Sequence, residues 1–214
     1  DFLDRQKTLP KLAPLLQALN ELRPPLGIYA VLGNHDYVLK GTSFGRLIDM
    51  LKRNGCTVLR NESLTLHWHG NGFELIGIDD YGTGRSDIKQ AYRDVIRDRF
   101  KLVITHDPNV VMEMNSVPFD YLLAGHFHGG QIYWPKPYHL RLMGKLVRMQ
   151  MIKGLHQFAD KPFYISEGLG QTGVNIRVGS RPEITIHSIP TASLCNPKTE
   201  TTGIVNEAAK QNSA

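Results

Sequence analysis

The stretch "LLAGHFHGGQIYWP", residues 122–135, sets an apolar run directly against two histidines one residue apart and a pair of glycines. A short apolar run bounded by glycine predicts a buried strand. Glycines beside polar groups let the chain turn sharply and let a ligand come close to the main chain. Two other segments have the same form: "YAVL" runs into Gly33, Asn34, His35 and Asp36, and "LVIT" runs into His106 and Asp107. Buried strands that each end in polar groups predict an α/β sheet whose loops gather at one edge. Asn34, His106, His126 and His128 then share a neighbourhood.

The surrounding pattern agrees with that class. Leu12, Leu15, Leu16, Leu19 and Leu22 fall at helical spacing until Pro24 and Pro25 stop it, and a second helix is predicted over 44–53 with Asn54 and Gly55 closing it. Strands are predicted at "GIYAVL", "TVLR", "LTLHWH", "FELIGID", "KLVIT" and "YLLAG", with a polar helix over 88–98. After residue 160 the pattern turns to strands without long helices: "PFYIS", "VNIRV" and "EITIHSI". Alternation first and strand succession later predict a mixed β-sheet sandwich flanked by helices. The expected domain covers 1–189. Residues 190–214 are polar and aperiodic, the composition of a disordered tail.

Composition narrows the partners. The 214 residues, 41% hydrophobic, suffice for one core. No apolar run approaches the ~18 residues of a membrane-spanning helix, and no signal-peptide pattern occurs. Two distant cysteines, Cys56 and Cys195, speak against a disulfide framework and for a reducing compartment. A net charge of +5 suggests an anionic partner. Between Asp120 and Asp160 no acidic residue occurs, and Lys136, Arg141, Lys145, Arg148 and Lys153 interleave with Leu and Met. Residues 135–154 read either as a core helix with a basic outer face or as a flap for lipid or a membrane surface. On the second reading the protein is cytoplasmic with peripheral contact on the inner face of the membrane. Nucleic acid is not an expected partner, because the basic residues lack interleaved aromatic stacking platforms.

Imidazoles with amide and carboxylate oxygens, and no thiolate, favour a divalent ion such as Mn, Fe, Zn or Mg over a structural zinc knuckle. His126 and His128 at i and i+2 on a strand or loop do not easily chelate one ion, but two neighbouring ions would use both. Paired ions are the usual clamp for in-line attack on phosphorus. Isolated histidines, namely His67, His69, His139, His156 and His187, read as structural or solvent-exposed. Asp79 and Asp80 read as a solvated loop pair. Arg177 reads as an exposed strand arginine or a contact to an anionic substrate, and Lys136 and Arg141 are further candidates for such a contact.

"GNHD", a lone strand-end histidine and then "GHFHGGQ" resemble the calcineurin-like metallophosphoesterase family. "GIYAVLGNHDY", "LRNE", "GHFHGGQI" and "GLGQTGVNIRVGSRPEITI" are similar to its bacterial membrane-associated phosphodiesterases, a branch that includes UDP-2,3-diacylglucosamine pyrophosphatases. The resemblance implies the calcineurin-like phosphoesterase fold and two divalent metal ions. Asn34, His106 and His126 would hold one ion and His128 the other, with Asp1 bridging. His35 would act on the phosphoryl oxygens or the leaving group, oriented by Asp36. The implied reaction is hydrolysis of a phosphodiester or pyrophosphate bond, with a UDP-2,3-diacylglucosamine-type lipid A precursor as the expected substrate. Alternatives are a general phosphodiesterase or phosphatase on soluble substrates, and a non-catalytic scaffold that has lost one metal site. The family's first motif, Asp-x-His, is absent. The sequence therefore reads as an N-terminally truncated enzyme, with the second metal site incomplete in this chain.

Overall fold

The computed structural model describes residues 1–3, 6–39, 41–133, 143–190 and 193–194, and the backbone of 205–209. Lys136, Arg141 and the rest of 135–142 therefore lie outside the described residues, as does His139.

Six strands form the main sheet: β3 (Glu62–Trp68), β4 (Asn71–Ile78), β5 (Phe100–Thr105), β6 (Tyr121–Ala124), β7 (Gly154–Phe158) and β8 (Lys161–Ile165), in the order β3-β4-β5-β6-β8-β7. The four central strands run parallel, and β3 and β7 close the edges antiparallel. Register places Ile76, Val103, Leu122 and Phe163 in one row across those four strands. All four are fully buried, in one core cluster with Ile78, Val110, Phe127 and Ile165. The opposite face carries Phe73, Phe100, Tyr121 and Tyr164. A parallel sheet buried on both faces explains why these strands read as continuous apolar runs.

A second unit is built from α1 (Leu9–Glu21), α2 (Thr42–Arg53) and the parallel pair β1 (Ile28–Ala30) and β2 (Cys56–Val58). Leu12 and Leu16 of α1 pack with Leu47 and Leu51 of α2, beneath Leu32 and Cys56. Of the five leucines at helical spacing, Leu12 and Leu16 face this core, whereas Leu15, Leu19 and Leu22 are exposed.

Four expectations meet a different outcome. The helix predicted over 88–98 is only α3 (Ile88–Ala91), capped by the Asp87 carboxylate, which accepts from Gln90 N. "VNIRV" is no strand: only Val178 forms a bridge, with Ile132. An unpredicted strand, β7, joins β8 through a tight turn at Ala159 and Asp160, both with positive φ (49° and 61°). Beyond Pro190, where no regular structure is expected, β10 (Val205–Ala209) pairs antiparallel with β9 (Ile184–Ser188). A strand edge such as that of β9 offers unpaired main-chain groups that a following segment can satisfy. Among the described residues, no helix is long and apolar enough to cross a membrane.

Candidate metal centre

The parallel neighbours β5 and β6 end side by side, and each delivers a histidine where its pairing stops. His106 follows β5, and Gly125 N donates to the His106 carbonyl at 3.0 Å, fixing the start of the His126 loop beside it. From the other unit, β1 leads through Gly33 to Asn34. The Asp36 carboxylate, fully buried, then ties that turn to the chain start by accepting from Gly33 N, Phe2 N and Leu3 N at 2.9–3.1 Å. A Cβ on Gly33 would overlap the Asp1 side chain, so only glycine admits Asp1 here.

Four donor atoms converge as a result. His106 Nε2 lies 3.0 Å from His126 Nδ1, 3.2 Å from Asn34 Oδ1 and 3.2 Å from Asp1 Oδ2. One ring nitrogen cannot form good hydrogen bonds with three such groups at once. The spacing instead suits donors around one divalent ion, where bonds of about 2.1 Å put neighbouring octahedral ligands roughly 3 Å apart. Asp1, His106 and His126 also form a group whose ligand atoms all lie within 4.8 Å of one another. Burial holds His106 well below the usual histidine range, and burial lowers His126 too, against the opposing pull of Asp107 and Asp80. Both rings are thus neutral, the form a metal requires. The donor set fits a hard or borderline divalent cation.

The loop that presents these groups is strained. His126 (φ 71°), His128 (φ 51°) and Gln131 (φ 38°) adopt left-handed backbone beside Gly129 and Gly130. Each such non-glycine residue costs about 1–2 kcal/mol. Surrounding bonds hold the loop in place: Gln131 Nε2 donates to the carbonyls of Thr172 and Val174, its Oε1 accepts from Thr172 N, and Ser180 Oγ donates to the His128 carbonyl at 2.6 Å. Strain of this kind clusters at functional sites.

His128 stands outside the four-donor group. Its Nε2 is 3.1 Å from Thr172 Oγ1, and burial first, then Arg177, bring its ring down to about 4. His35 donates its main-chain N–H to Asp1 Oδ1 at 2.8 Å, which places it beside the donors.

Contacts define the surroundings of Asp36 and Arg177 and correct one expectation. The Asp36 carboxylate accepts from three main-chain N–H groups and so shapes the Asn34 turn. The Nη atoms of Arg177 donate to the carbonyls of Glu167, Gly168, Gly170, His128 and Arg181 and to Ser180 Oγ. A fork of fixed donors satisfied by loop carbonyls gathers the chain around itself, which is why "VNIRV" cannot extend as a strand. Asp79 and Asp80 are not solvated: they are 2% and 0% exposed. Asp79 accepts from Tyr37 Oη at 2.6 Å and pairs with Arg60 at 3.4 Å, while Asp80 Oδ1 is buried without a partner among the described residues.

Sequence reasoning missed Asp107 and Asn109. Asp107 Oδ1 accepts from Asn109 N and Nδ2 at 2.9 and 2.7 Å, capping the 3-10 turn Pro108–Glu113. The available signal was an aspartate directly before proline, a helix-start pattern.

Against known proteins, the chain is 61% identical over 189 residues to the uncharacterized metallophosphoesterase YkoQ of Bacillus subtilis, a match covering 88% of this chain and 70% of that protein. The chain belongs to the metallophosphoesterase family. It is also 31% identical over 177 residues to the phosphodiesterase YaeI of Escherichia coli, covering 80% of the chain and 60% of YaeI. To the UDP-2,3-diacylglucosamine pyrophosphatase LpxG of Chlamydia trachomatis it is 28% identical over 145 residues, covering 64% of the chain and 43% of LpxG. No family model and no solved structure matches the chain. These relatives bear the names of hydrolases, and the mixed sheet with flanking helices agrees with the expected fold class.

Proposed function

We propose that the protein is a dinuclear metal-dependent hydrolase of phosphodiester or pyrophosphate bonds. The observation that carries this reading is the convergence of Asp1 Oδ2, Asn34 Oδ1 and His126 Nδ1 on His106 Nε2. Asp1, Asn34, His106 and His126 hold one ion and His128 serves the second. When bound, divalent ions of this kind supply Lewis-acid neutralisation of charge at phosphorus and activate the attacking water. The chain's own contribution is positional. The Asp36 carboxylate keeps the Asn34 turn against Asp1, and the strained loop from His126 to Gln131 sets the two loop imidazoles at fixed angles. His35, anchored through its N–H to Asp1, donates a proton or hydrogen bond to the departing oxygen.

For the substrate, the phosphodiesterase name of YaeI, at 31% identity over 80% of the chain, supports a diester hydrolase. The lipid A precursor expected from sequence is supported by the name of LpxG alone, at lower identity and coverage. On identity and coverage of the two relatives, a phosphodiester is the favoured substrate. Manganese is the first ion to test.

The experiment is metal content by mass spectrometry together with hydrolysis by the full-length protein, comparing bis(p-nitrophenyl) phosphate with detergent-dispersed UDP-2,3-diacylglucosamine. Metal-dependent turnover of the first supports the diesterase reading, and turnover of the second alone reassigns the substrate to the glycolipid. A protein that binds no divalent ion and turns over neither is a scaffold.

A further inference from the structure

Beside His126 a cavity of about 300 Å³ opens between the loop after β4 and the residues just before α4 (Lys145–Arg148). Tyr81, Met112 and Met143 supply apolar wall, and Asp107, Glu113 and Lys145 supply the charged groups. Its position is built. The buried Asn109 side chain donates from Nδ2 to the Met143 carbonyl at 2.9 Å and accepts from Leu146 N at 3.4 Å, while Asp107 Oδ1 holds the same amide at 2.7 Å. Gly144 passes directly over that amide with φ 105°, where a Cβ would overlap Asn109. Lys145 is therefore brought to the cavity by a buried latch. On the opposite wall Tyr81 Oη donates to Glu113 Oε1 at 3.1 Å. Gly82 completes the lining: a Cβ there would stand 3.2 Å from Asp107 Oδ2, a tight approach that glycine avoids.

The structure assigns this cavity as the subsite for a sugar or polyol group esterified to the phosphorus, and the assignment rests on the phosphodiesterase reading above. Two carboxylates and one ammonium offer acceptors and a donor with no strong excess of either sign, which suits hydroxyl groups better than a second phosphoryl group. Tyr81 and the methionines offer the apolar face that a sugar ring or glycerol chain presents between its hydroxyls. A volume of about 300 Å³ is at the lower end for small-molecule sites and matches a group of monosaccharide or glycerol size. Contact with His126 puts the subsite next to the proposed ions, where the ester oxygen of the bound group would meet the reacting phosphorus.

The test is competitive inhibition of bis(p-nitrophenyl) phosphate hydrolysis by the full-length, metal-supplemented protein. The inhibitors are methyl phosphate, which has no hydroxyl, glycerol 1-phosphate and glucose 1-phosphate. The wild-type protein should bind one of the hydroxylated phosphates about tenfold more tightly than methyl phosphate, the gain of a hydrogen bond to a charged group. Which of the two binds tighter tells glycerol from hexose. Glu113→Gln and Lys145→Met should each bring the ratio of inhibition constants back toward one. A wild-type ratio of one, or variants that weaken methyl phosphate and the hydroxylated phosphates equally, overturns the subsite. Absence of any hydrolysis by the metal-supplemented wild type overturns the activity reading instead.

Discussion

His106 Nε2 and His126 Nδ1 face each other at 3.0 Å across the ends of two adjacent parallel strands, with a carboxylate and an amide oxygen each 3.2 Å from the first. Two neutral imidazoles aimed at one point, with oxygen donors around them, are arranged for a shared cation. His106→Ala and His126→Ala should each lower affinity for Mn by about 100-fold or more, since even the groups that merely orient metal ligands account for 10–100-fold. Isothermal titration with Mn measures this, and wild-type affinity in both variants would refute the centre.

Gly33→Ala tests the centre without replacing a donor. The added Cβ would stand 2.7 Å from the Asp1 main-chain N and overlap the carboxylate. Loss of Mn affinity is expected, with the circular dichroism of the fold retained. Retained affinity would show that Asp1 contributes nothing to binding.

Arg177 is predicted to be a structural clamp. Arg177→Met deprives the loop carbonyls of Glu167, Gly168 and Gly170 of their donor at once. The expected cost is about 2–4 kcal/mol in urea unfolding, with charge-assisted bonds contributing roughly 1.5–3 kcal/mol each and the loop relaxing toward water. A stable variant with a raised KM would restore the substrate role.

Asp80 gives a pH dependence in the metal-free protein. Burial raises its carboxyl above the ordinary 3.8, helped by Asp107 and opposed by the hydrogen bond from Thr83. Because the folded value is raised, the favourable contribution is complete below 3.8 and is lost as pH climbs through the folded value. Asp80→Asn should therefore raise Tm at neutral pH, by roughly 2–4 °C for about 1 kcal/mol. The gain should vanish near pH 3. A variant no more stable than wild type at neutral pH would contradict the buried charge.

The β7–β8 turn holds Ala159 and Asp160 at φ 49° and 61°. Two consecutive left-handed residues form the tight hairpin turn that asparagine and glycine favour. Ala159→Asn with Asp160→Gly should stabilise the protein by about 1 kcal/mol in urea unfolding, through relief of that conformation. No gain would mean that the turn is not strained.

The sequence alone determined the strands that carry the site, because continuous apolar runs report a sheet covered on both faces, and it pointed to Asn34, His106 and His126 as candidate donors, because each run breaks into Asn or His, whereas Asp1 came only from the family resemblance. It missed β7, whose turn lacks the usual Asn-Gly signal, and it extended "VNIRV" as a strand, since no local pattern shows that Arg177 will bind the carbonyls of its own loop. It also left Asp79 and Asp80 in water. Only the tertiary structure decided that Asp36 holds the chain start, that Asn109, held by Asp107, latches Met143 and Leu146, and that His128 stands apart from His106 and His126. The physical reason is range. Periodicity and turn chemistry act within a few residues, whereas which carboxylate meets which N–H is settled by contacts between segments 30 or more positions apart.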